Sequence, residues 1–554
     1  MALAAAVRPY RRPTNRCEEG SRMPVTPTYP GIYIEEILSN AHTITAAPTS
    51  VTVFVGYTHP FKTKHYGEAI EIFSFSDYER EFGGLFSVDW LADDVGRAVY
   101  QFFLNGGADA YIIAILPQFH DLGGAPSQPI PQPILTGSAT GGIEFVGREP
   151  ADNYHSLTVS FTNVRKSPNG VANALADITV AYGTQTETFR GVSLDSTDKA
   201  NFVEVRIGTP TIPVSSLVTV APPSGGTYPS AWPGALAPTP LNPGLPTNPY
   251  TTYLPGDFTA AFDQDKALDK ISVFNLLLTP GIWDPPVVAE ALAFCERKRA
   301  FMVLDPPADA VADPTGTPLP MIGDIMSDKA SPRMIHKSEN GALYFPYLKS
   351  PDPYTGGPLS LPPSGFVAGV IAREDTNRGV WKAPAGYEAL VSNTTGVVAG
   401  GRMTDPRQGT LNPLGVNCLR DFPGIGTVVF GARTLVAANP SFQQYRYVPI
   451  RRMALFLEQS LLASLGWVIF EPNDVPLWVS IKTTIDSFML GLFNQGAFQG
   501  TTPSQAFQVK CDSTTTTPDD QANGIVNIVV AFAPLKPAEF VIIKIAQLAG
   551  QSQS

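Results

Sequence analysis

The sequence predicts a multidomain protein of mixed α/β and α+β class, and three observations support this prediction. Apolar, β-branched runs alternate with helical patterns near the start of the chain and again after residue 257, which is typical of parallel sheets. Between these regions, short runs rich in Thr and Val predict a β-rich insert. The last third combines two long amphipathic helices with strands. A chain of 554 residues is also too long for a single core.

The first α/β region covers residues 51–116. Val51–Tyr57 and Ala110–Leu116 are continuous apolar runs of strand length, and Ser74–Phe82 carries a short helix signal. Ser87–Leu104 predicts a helix that ends at Asn105-Gly106-Gly107, where glycine favours termination. The apolar face of this helix is formed by Leu91, Val95, Ala98, Val99 and Phe102. Strand, helix and strand in this order predict a βαβ unit.

The second α/β region covers residues 257–375. Ile271–Leu278 and Phe301–Leu304 predict buried strands. Asp284 predicts the N-cap of a helix with Pro285 in its first position, and this helix is expected to end near Arg299. Because both regions share the same pattern, we expect 51–116 and 257–375 to form one α/β domain.

The segment between them, 117–256, is predicted to be a β-rich insert. Passages rich in Pro, Gly and Ser begin and end it and are expected to act as surface connectors. The predicted strands are Leu157–Phe161, Ile178–Tyr182, Thr186–Phe189 and Phe202–Ile207.

Residues 376–538 predict a C-terminal α+β domain. Its two helices are expected over Arg452–Leu465 and Leu477–Phe493, from apolar residues at helical spacing. The predicted strands lie near Gly426–Phe430, Trp467–Phe470, Gln505–Asp512 and Ile525–Phe532. This region has few charged residues, and we predict that its arginines at two positions are structural ion-pair donors. These are Arg451-Arg452 and the Arg433 of Gly431-Ala-Arg-Thr434.

The chain ends in an unusual apolar run. Phe540–Ala546 has the residues of a strand and follows a hinge that contains Pro534 and Pro537. Such a strand either closes onto its own sheet or adds itself to the sheet of a neighbouring molecule. Tyr29–Ile37 is a similar short strand without a neighbouring partner in sequence. We expect both strands to pair with a neighbouring molecule. We therefore predict arms that donate strands at 23–50 and 539–554.

Composition and motifs argue against several functions. A net charge of −11 argues against nucleic acid as the main partner. The four cysteines and six histidines show no metal-ligand spacing, and no nucleotide-binding or nucleophile motif occurs. We therefore expect no catalytic, cofactor or metal site. Asp305 ends a predicted strand, where α/β proteins often bind ligands. Its flanking prolines equally indicate that it forms a turn.

Residues 1–22 carry five arginines but no apolar stretch of the kind found in secretory signals. We expect a disordered extension here, or a start at Met23. No run approaches the length of about 20 apolar residues that a transmembrane helix needs.

A series of short motifs resembles the sheath proteins of contractile phage tails and of tail-like injection systems. The resemblance spans nearly the whole chain from Met23 and is weakest over 117–256. The motifs occur in this order: Tyr29-Pro-Gly-Ile-Tyr-Ile-Glu-Glu36, Phe102–Ile113, Pro362-Pro-Ser-Gly365, Arg378-Gly-Val-Trp-Lys-Ala-Pro-Ala385, Leu411-Asn-Pro-Leu-Gly-Val-Asn417, Phe422-Pro-Gly-Ile-Gly426, Gly431-Ala-Arg-Thr-Leu435, Tyr447-Val-Pro-Ile-Arg-Arg452, Phe470-Glu-Pro-Asn473 and Ala533-Pro-Leu-Lys-Pro-Ala-Glu-Phe540.

The resemblance implies a non-enzymatic structural subunit. Such subunits stack as hexameric rings into a metastable helical sheath around an inner tube, and contraction drives the tube through a target envelope. It implies a C-terminal inner domain. The implied partners are other copies of the chain, an inner tube protein, and baseplate and terminal cap proteins. Implied locations are the bacterial cytoplasm during assembly, then a phage tail or a released or membrane-anchored particle. It implies no nucleic acid partner and no membrane insertion.

By position in the motifs, the resemblance also implies site residues. Strand exchange between subunits is expected to use Tyr33, Ile34, Glu35, Ile37, Phe540, Ile542, Ile543 and Ile545. Contact with the inner tube is expected from Leu477, Lys482, Asp486 and Phe493. Two alternatives stay open: a surface-binding or hydrolytic module in the β-rich insert, and an α/β enzyme that uses Asp305.

Overall fold

In a computed structural model of the chain, the described residues are 42–88, 90–121, 128–129, 137–139, 143–148, 156–221, 226–241, 250–251, 253–311, 321–327 and 333–544. The chain divides into two units, Met1–Thr43 and Ile44–Ser554, and all elements below belong to the second. The predicted extension at 1–22, the predicted strand Tyr29–Ile37 and Ile545 lie outside the described residues.

The strands are, in chain order, β1 (Thr52–Gly56), β2 (Ala69–Ile72), β3 (Ala110–Ala114), β4 (Gln118–Asp121), β5 (Gln128–Pro129), β6 (Gly137–Ala139), β7 (Ile143–Gly147), β8 (Leu157–Arg165), β9 (Leu175–Tyr182), β10 (Gln185–Ser193), β11 (Val218–Ala221), β12 (Leu236–Pro240), β13 (Tyr250–Thr251), β14 (Leu276–Leu278), β15 (Phe301–Leu304), β16 (Gly341–Phe345), β17 (Leu348–Pro351), β18 (Pro358–Leu361), β19 (Gly396–Val397), β20 (Val416–Phe422), β21 (Gly426–Val429), β22 (Phe507–Lys510) and β23 (Val529–Phe532).

The α-helices are α1 (Phe75–Phe82), α2 (Asp94–Leu104), α3 (Val203–Ile207), α4 (Pro255–Thr259), α5 (Pro285–Lys298), α6 (Ile322–Met326), α7 (Ser364–Arg378), α8 (Asp405–Leu411), α9 (Val448–Ser464), α10 (Val475–Asn494), α11 (Pro503–Ala506) and α12 (Pro518–Ala522).

An eight-stranded sheet organises the α/β part, in the order β2-β3-β1-β14-β15-β16-β20-β21. The six strands from β3 to β20 pair in parallel, and the antiparallel strands β2 and β21 form its edges. Strand β1 pairs with β14 in the register Thr52↔Leu276, which joins the two predicted α/β regions in one sheet. The sheet also includes β20 and β21, so it continues past the predicted boundary at residue 375.

Helices cover both faces of this sheet, which explains why its strands are continuously apolar. Helix α5 buries Val288 and Leu292 on one face. Helices α2 and α7 pack on the other face and lie very close to each other. A Cβ atom at Gly365 would lie 2.5 Å from the Ala98 carbonyl oxygen, and one at Gly369 would lie 2.6 Å from that of Phe102. Glycine on α7 therefore permits this close helix contact.

The β-rich insert has a core of its own. Strands β10-β9-β8-β12 form a four-stranded sheet, and β11-β7-β6 form a three-stranded one. Phe145, Phe161 and Trp232 are buried in this core, and Trp232 Nε1 donates to the Val192 carbonyl at 2.9 Å. The predicted strand Phe202–Ile207 is wrong, since this segment is helix α3. Val203 and Ile207 are buried while Val205 is exposed, which is the helical spacing of one turn.

The C-terminal layer consists of α9, α10 and the two-stranded sheet β22-β23. Both helices are confirmed, and each begins a few residues earlier than predicted. The predicted strand Trp467–Phe470 is wrong. Gly466–Val468 forms a 3-10 turn, because the chain must connect α9 to α10 within a short span. Strand Ile525–Phe532 shortens to β23, and Gln505–Asp512 contains the end of α11 as well as β22.

Candidate functional site

The root of the C-terminal arm is fixed by a partly buried carboxylate, which forms a clamp with Arg433 and Tyr447. Glu539 accepts from Arg433 Nε at 2.9 Å and from Arg433 Nη2 at 2.5 Å, and the Tyr447 hydroxyl donates to its Oε2 at 3.2 Å. The Arg433 side chain is only 2% exposed, and its Nη1 also donates to the Asn412 carbonyl. Bidentate pairs of this kind are strong and directional. This confirms Arg433 as a structural ion-pair donor.

Beyond the clamp, the chain leaves its own fold. Phe540, Val541, Ile542 and Ile543 are 73–82% exposed, although all four are large and apolar. Residues 540–544 have no regular secondary structure. Of the predicted exchange residues, the structure therefore places Phe540, Ile542 and Ile543 together on an uncovered segment. Large exposed apolar stretches mark interaction sites in soluble proteins.

The root of the N-terminal arm lies along helix α9. Thr45 N donates to Ser464 Oγ at 3.1 Å, and Ala47 N donates to Ser460 Oγ at 2.9 Å, one helical turn away. Arg452 Nη2 donates to the Thr49 carbonyl at 2.7 Å. Because Tyr447 precedes α9, the C-terminal root lies at the start of this helix, whereas the N-terminal root runs along it from Arg452 to Ser464.

The sheet β22-β23 consists of two strands among the described residues. Its two strands pair antiparallel in the register Phe507↔Phe532, and the side chains of Val509 and Val530 face the core formed with α10. Among the described residues, no third strand pairs with either of them. Val529 is 50% exposed. The free edges of these two strands offer unpaired backbone groups to a further strand.

Helix α10 separates the four residues expected at the inner tube. Leu477 is buried in the chain's own core and is not accessible to another protein in this structure. Phe493 is half-buried against the same core. Lys482 and Asp486 are partly exposed and pair with each other one turn apart. The exposed face of α10 consists of Val475, Pro476, Val479, Thr483, Ser487, Leu490 and Asn494.

This exposed face of α10, which we call the α10 stripe, has no charged residue. Val475 is 61% and Val479 57% exposed. The Thr483 and Ser487 hydroxyls donate to carbonyls of the preceding turn, so neither depends on water for a partner. Nearby in sequence, Phe470 is fully exposed at a φ of 71°, a conformation that bulky residues rarely adopt. Sequence reasoning missed this surface, because the core-facing pattern of α10 dominates its periodicity.

Asp305 is a buried structural acceptor. Its carboxylate accepts from Ser364 N at 2.7 Å, from Ser364 Oγ at 2.6 Å and from Gly281 N at 3.0 Å. These bonds fix the first turn of α7 to the loop after β14. Burial raises the pKa of Asp305 to about 7. An open cleft of about 440 Å³ lies next to Gly281 and Pro307, and the carboxylate of Asp305 does not line it.

Within the described ranges, no cluster of three or more His, Cys, Asp or Glu side chains could hold a metal ion. Of the helices that the structure describes, none is both long and apolar enough to cross a membrane.

Comparisons with known proteins decide the family. Residues 259–435 match the family described as phage tail sheath protein central domain. Residues 441–547 match the phage tail sheath C-terminal domain. The chain belongs to the phage tail sheath family. The two matches together cover just over half of its 554 residues. The resemblance stated from the sequence motifs is therefore confirmed. No curated protein matches this sheath protein.

Solved structures show the same fold. The AFP (anti-feeding prophage) helical sheath in its contracted state is 23% identical with a TM-score of 0.54, over 94% of this chain and 100% of that chain. The PVC sheath complex of an extracellular contractile injection system, also contracted, is 20% identical with a TM-score of 0.55, over 94% and 98%. A chain of the AFP baseplate is 22% identical with a TM-score of 0.53, over 94% and 99%. The predicted mixed α/β fold class is confirmed.

Proposed function

We propose that this sheath protein polymerises as stacked hexameric rings around an inner tube and contracts to drive that tube through a target envelope. The observation that carries the proposal is the C-terminal arm. Four consecutive apolar residues from Phe540 to Ile543 leave the fold largely exposed, directly after a rigid anchor at Glu539. A segment of this kind gains most by adding itself to a sheet of another subunit.

The edges of β22-β23 are the proposed acceptor for the donated strands. Strand addition satisfies the unpaired backbone groups, and the alternation of side chains fixes the register. An apolar strand from the C-terminal arm of one subunit, and one from Tyr29–Ile37 of another, would extend the two-stranded sheet. Head-to-tail contacts of this kind generate rings where the rotation between subunits closes and helical assemblies where it does not.

The positions of the two arm roots suggest how force passes between subunits. Helix α9 holds the N-terminal root through Ser460 and Ser464, and the C-terminal root contacts Tyr447 just before it. A pull on one arm thus reaches the other through a single helix that is buried against the core. The domains can then rotate during contraction while the exchanged strands stay paired.

The α10 stripe is the proposed contact with the inner tube, together with the Lys482–Asp486 pair beside it. A helix face without charge is suited to a contact that must hold before contraction and release during it. The baseplate and a terminal cap are proposed as further partners, in keeping with the AFP baseplate among the similar structures. Assembly is proposed in the bacterial cytoplasm, either for a phage tail or for a released or membrane-anchored injection particle. We propose no catalytic role.

Deletion of residues 540–554 tests the proposed function. We expect a folded protein that forms no long sheaths by electron microscopy, because the donated strand is missing. The matched control replaces Ile542 and Ile543 by Val, which keeps an apolar β-branched strand and should still assemble. Long sheaths of normal appearance from the truncated protein would show that this arm does not link subunits.

A surface-binding or hydrolytic module in the β-rich insert is the second candidate, because this module has a core separate from the sheath fold. Replacing 143–241 by a short Gly/Ser linker separates the two functions. If the insert only decorates the sheath, assembly and contraction continue without it. Loss of assembly would assign the insert to the sheath mechanism itself.

A further inference from the structure

The C-terminal arm could pair within its own chain, and the structure contains a feature that opposes this. Residues 533–539 connect β23 to Phe540, a length that easily allows a hairpin. Among the described strands, β23 pairs with β22 alone, and the arm is apolar and β-branched. Pairing in cis has a much higher effective concentration than pairing with a second molecule. An unrestrained arm would therefore block the acceptor edge of its own subunit.

The connecting segment is fixed at two points. At the first, Ala533 N donates to the Ala506 carbonyl, and Gln499 N donates to the Ala533 carbonyl, both close to β22. At the second, Glu539 is held by Arg433 and Tyr447. Arg433 belongs to another part of the fold, where its backbone N donates to Asn417 of β20 at 2.6 Å. The connecting segment thus runs from the β22-β23 sheet towards the eight-stranded sheet, which contains β20.

The second fixed point lies beside an open cleft. Pro537, Ala538 and Phe540 form part of the wall of an open cleft of about 380 Å³, which also borders Arg420 and Phe430. The arm root therefore borders open space. At Glu539 the bidentate ion pair and the bond from the Tyr447 hydroxyl restrain the direction in which Phe540 leaves the fold.

We infer that Arg433, Tyr447 and Glu539 form a clamp that prevents the C-terminal arm from pairing with β23 of its own chain and so keeps that edge open for a second copy of this protein. The inference rests on the proposed strand exchange. With Glu539 held at Arg433, the connecting segment cannot reverse towards β23. When Glu539 is released, residues 534–539 are free to close the hairpin, and the subunit caps itself.

Hydrogen exchange of the full chain, kept unassembled by dilution, tests the clamp directly. In the wild type, amides of 541–544 and the outward-facing amides of β23 should exchange quickly. In a Glu539→Gln variant, both groups should become protected together, by at least about tenfold and independently of protein concentration. The same variant should need at least about tenfold more protein to form sheaths, since a charge-assisted bidentate bond is lost.

Two further variants keep the test decisive. Glu539→Gln leaves the Arg433 guanidinium buried without a counterion, so the double variant Arg433→Met with Glu539→Met checks that the effect does not come from misfolding. It should show the same protection in cis. Tyr447→Phe removes one bond only and should give a smaller effect. Unchanged exchange in both Glu539→Gln and the double variant, with assembly at the wild-type concentration, would overturn the inference.

The outcome also distinguishes this inference from the proposed function. If the protein without 540–554 still forms sheaths, strand donation by the C-terminal arm is wrong. If that truncation abolishes assembly while the clamp variants assemble and exchange like the wild type, strand exchange stands and the clamp is wrong.

Discussion

Arg452 and Asp375 form a buried bidentate ion pair that joins α9 to α7. Nη1 donates to Oδ1 at 2.8 Å and Nη2 to Oδ2 at 2.5 Å, and the two side chains are 3% and 2% exposed. Nη2 of the same arginine also donates to the Thr49 carbonyl at the root of the N-terminal arm. The pair thus connects the α/β domain, the C-terminal layer and the arm through one side chain.

Asp375→Ala should therefore be strongly destabilising. Removal of one partner leaves a buried guanidinium without a counterion, which costs about 3–5 kcal/mol of unfolding free energy. Urea unfolding followed by tryptophan fluorescence measures this loss. The double variant Arg452→Met with Asp375→Leu is the control, because a packed apolar pair removes the buried charge. A similar loss in both variants would show that the cost comes from packing and not from the unpaired charge.

Asp305→Asn should change how stability depends on pH. Burial raises the pKa of Asp305 from 3.8 to about 7, so the folded chain holds a proton that the unfolded chain releases. This contribution to stability is complete below about pH 4 and is lost as the pH rises to about 7, on the order of a few kcal/mol. The wild type should thus lose stability over this range more steeply than the variant. Burial also raises the pKa of Asp94, to about 6, and raises the pKa of Asp93 well above its ordinary value, so both contribute a slope of the same sign in both proteins.

Chemical unfolding at several pH values between about 4 and 8 measures these slopes. Asp519→Asn provides the control, since it makes the same side-chain change at an exposed position. The Asp305→Asn protein should also assemble like the wild type, because the bonds of Asp305 to Ser364 and Gly281 lie within the fold of one subunit. A variant that folds with an unaltered pH slope would mean that Asp305 is already ionised at acidic pH.

Gly365→Ala should destabilise the contact between α2 and α7. A methyl group would lie 2.5 Å from the Ala98 carbonyl oxygen and 2.6 Å from its Cα, so one helix must move. Overpacking of this kind costs about 1–3 kcal/mol. Gly491→Ala in α10 is a matched control, because nothing lies within 4 Å of the place that its methyl group would occupy. That substitution should stabilise by about 0.5–1 kcal/mol through helix propensity, and thermal unfolding compares the two.

These residues also show what the sequence could and could not predict. Helices α9 and α10 were predictable, because long amphipathic periods are local patterns. The turn at Trp467–Phe470 was not, since a short apolar run does not reveal that it must connect two helices. Arg433 and Arg452 were predictable as ion-pair donors in a region with few charges. Their acidic partners lie 106 and 77 positions away, and no local pattern connects them. The arm was predictable as an apolar run near the end of the chain, but its clamp was not.

Val479→Asp should weaken the contact between sheath and inner tube without affecting the fold. Val479 is 57% exposed in the α10 stripe, so the change removes no internal contact of consequence. If the stripe is covered by the tube, the carboxylate is buried without a partner, and binding should fall by at least about tenfold. Co-sedimentation of sheath with purified tube measures this. Val171→Asp, at 54% exposure in the β-rich insert, carries the same charge to a site remote in sequence and should bind normally. Equal binding by both variants would exclude the stripe from the tube contact, because an unpaired carboxylate buried at the centre of an interface lowers its affinity.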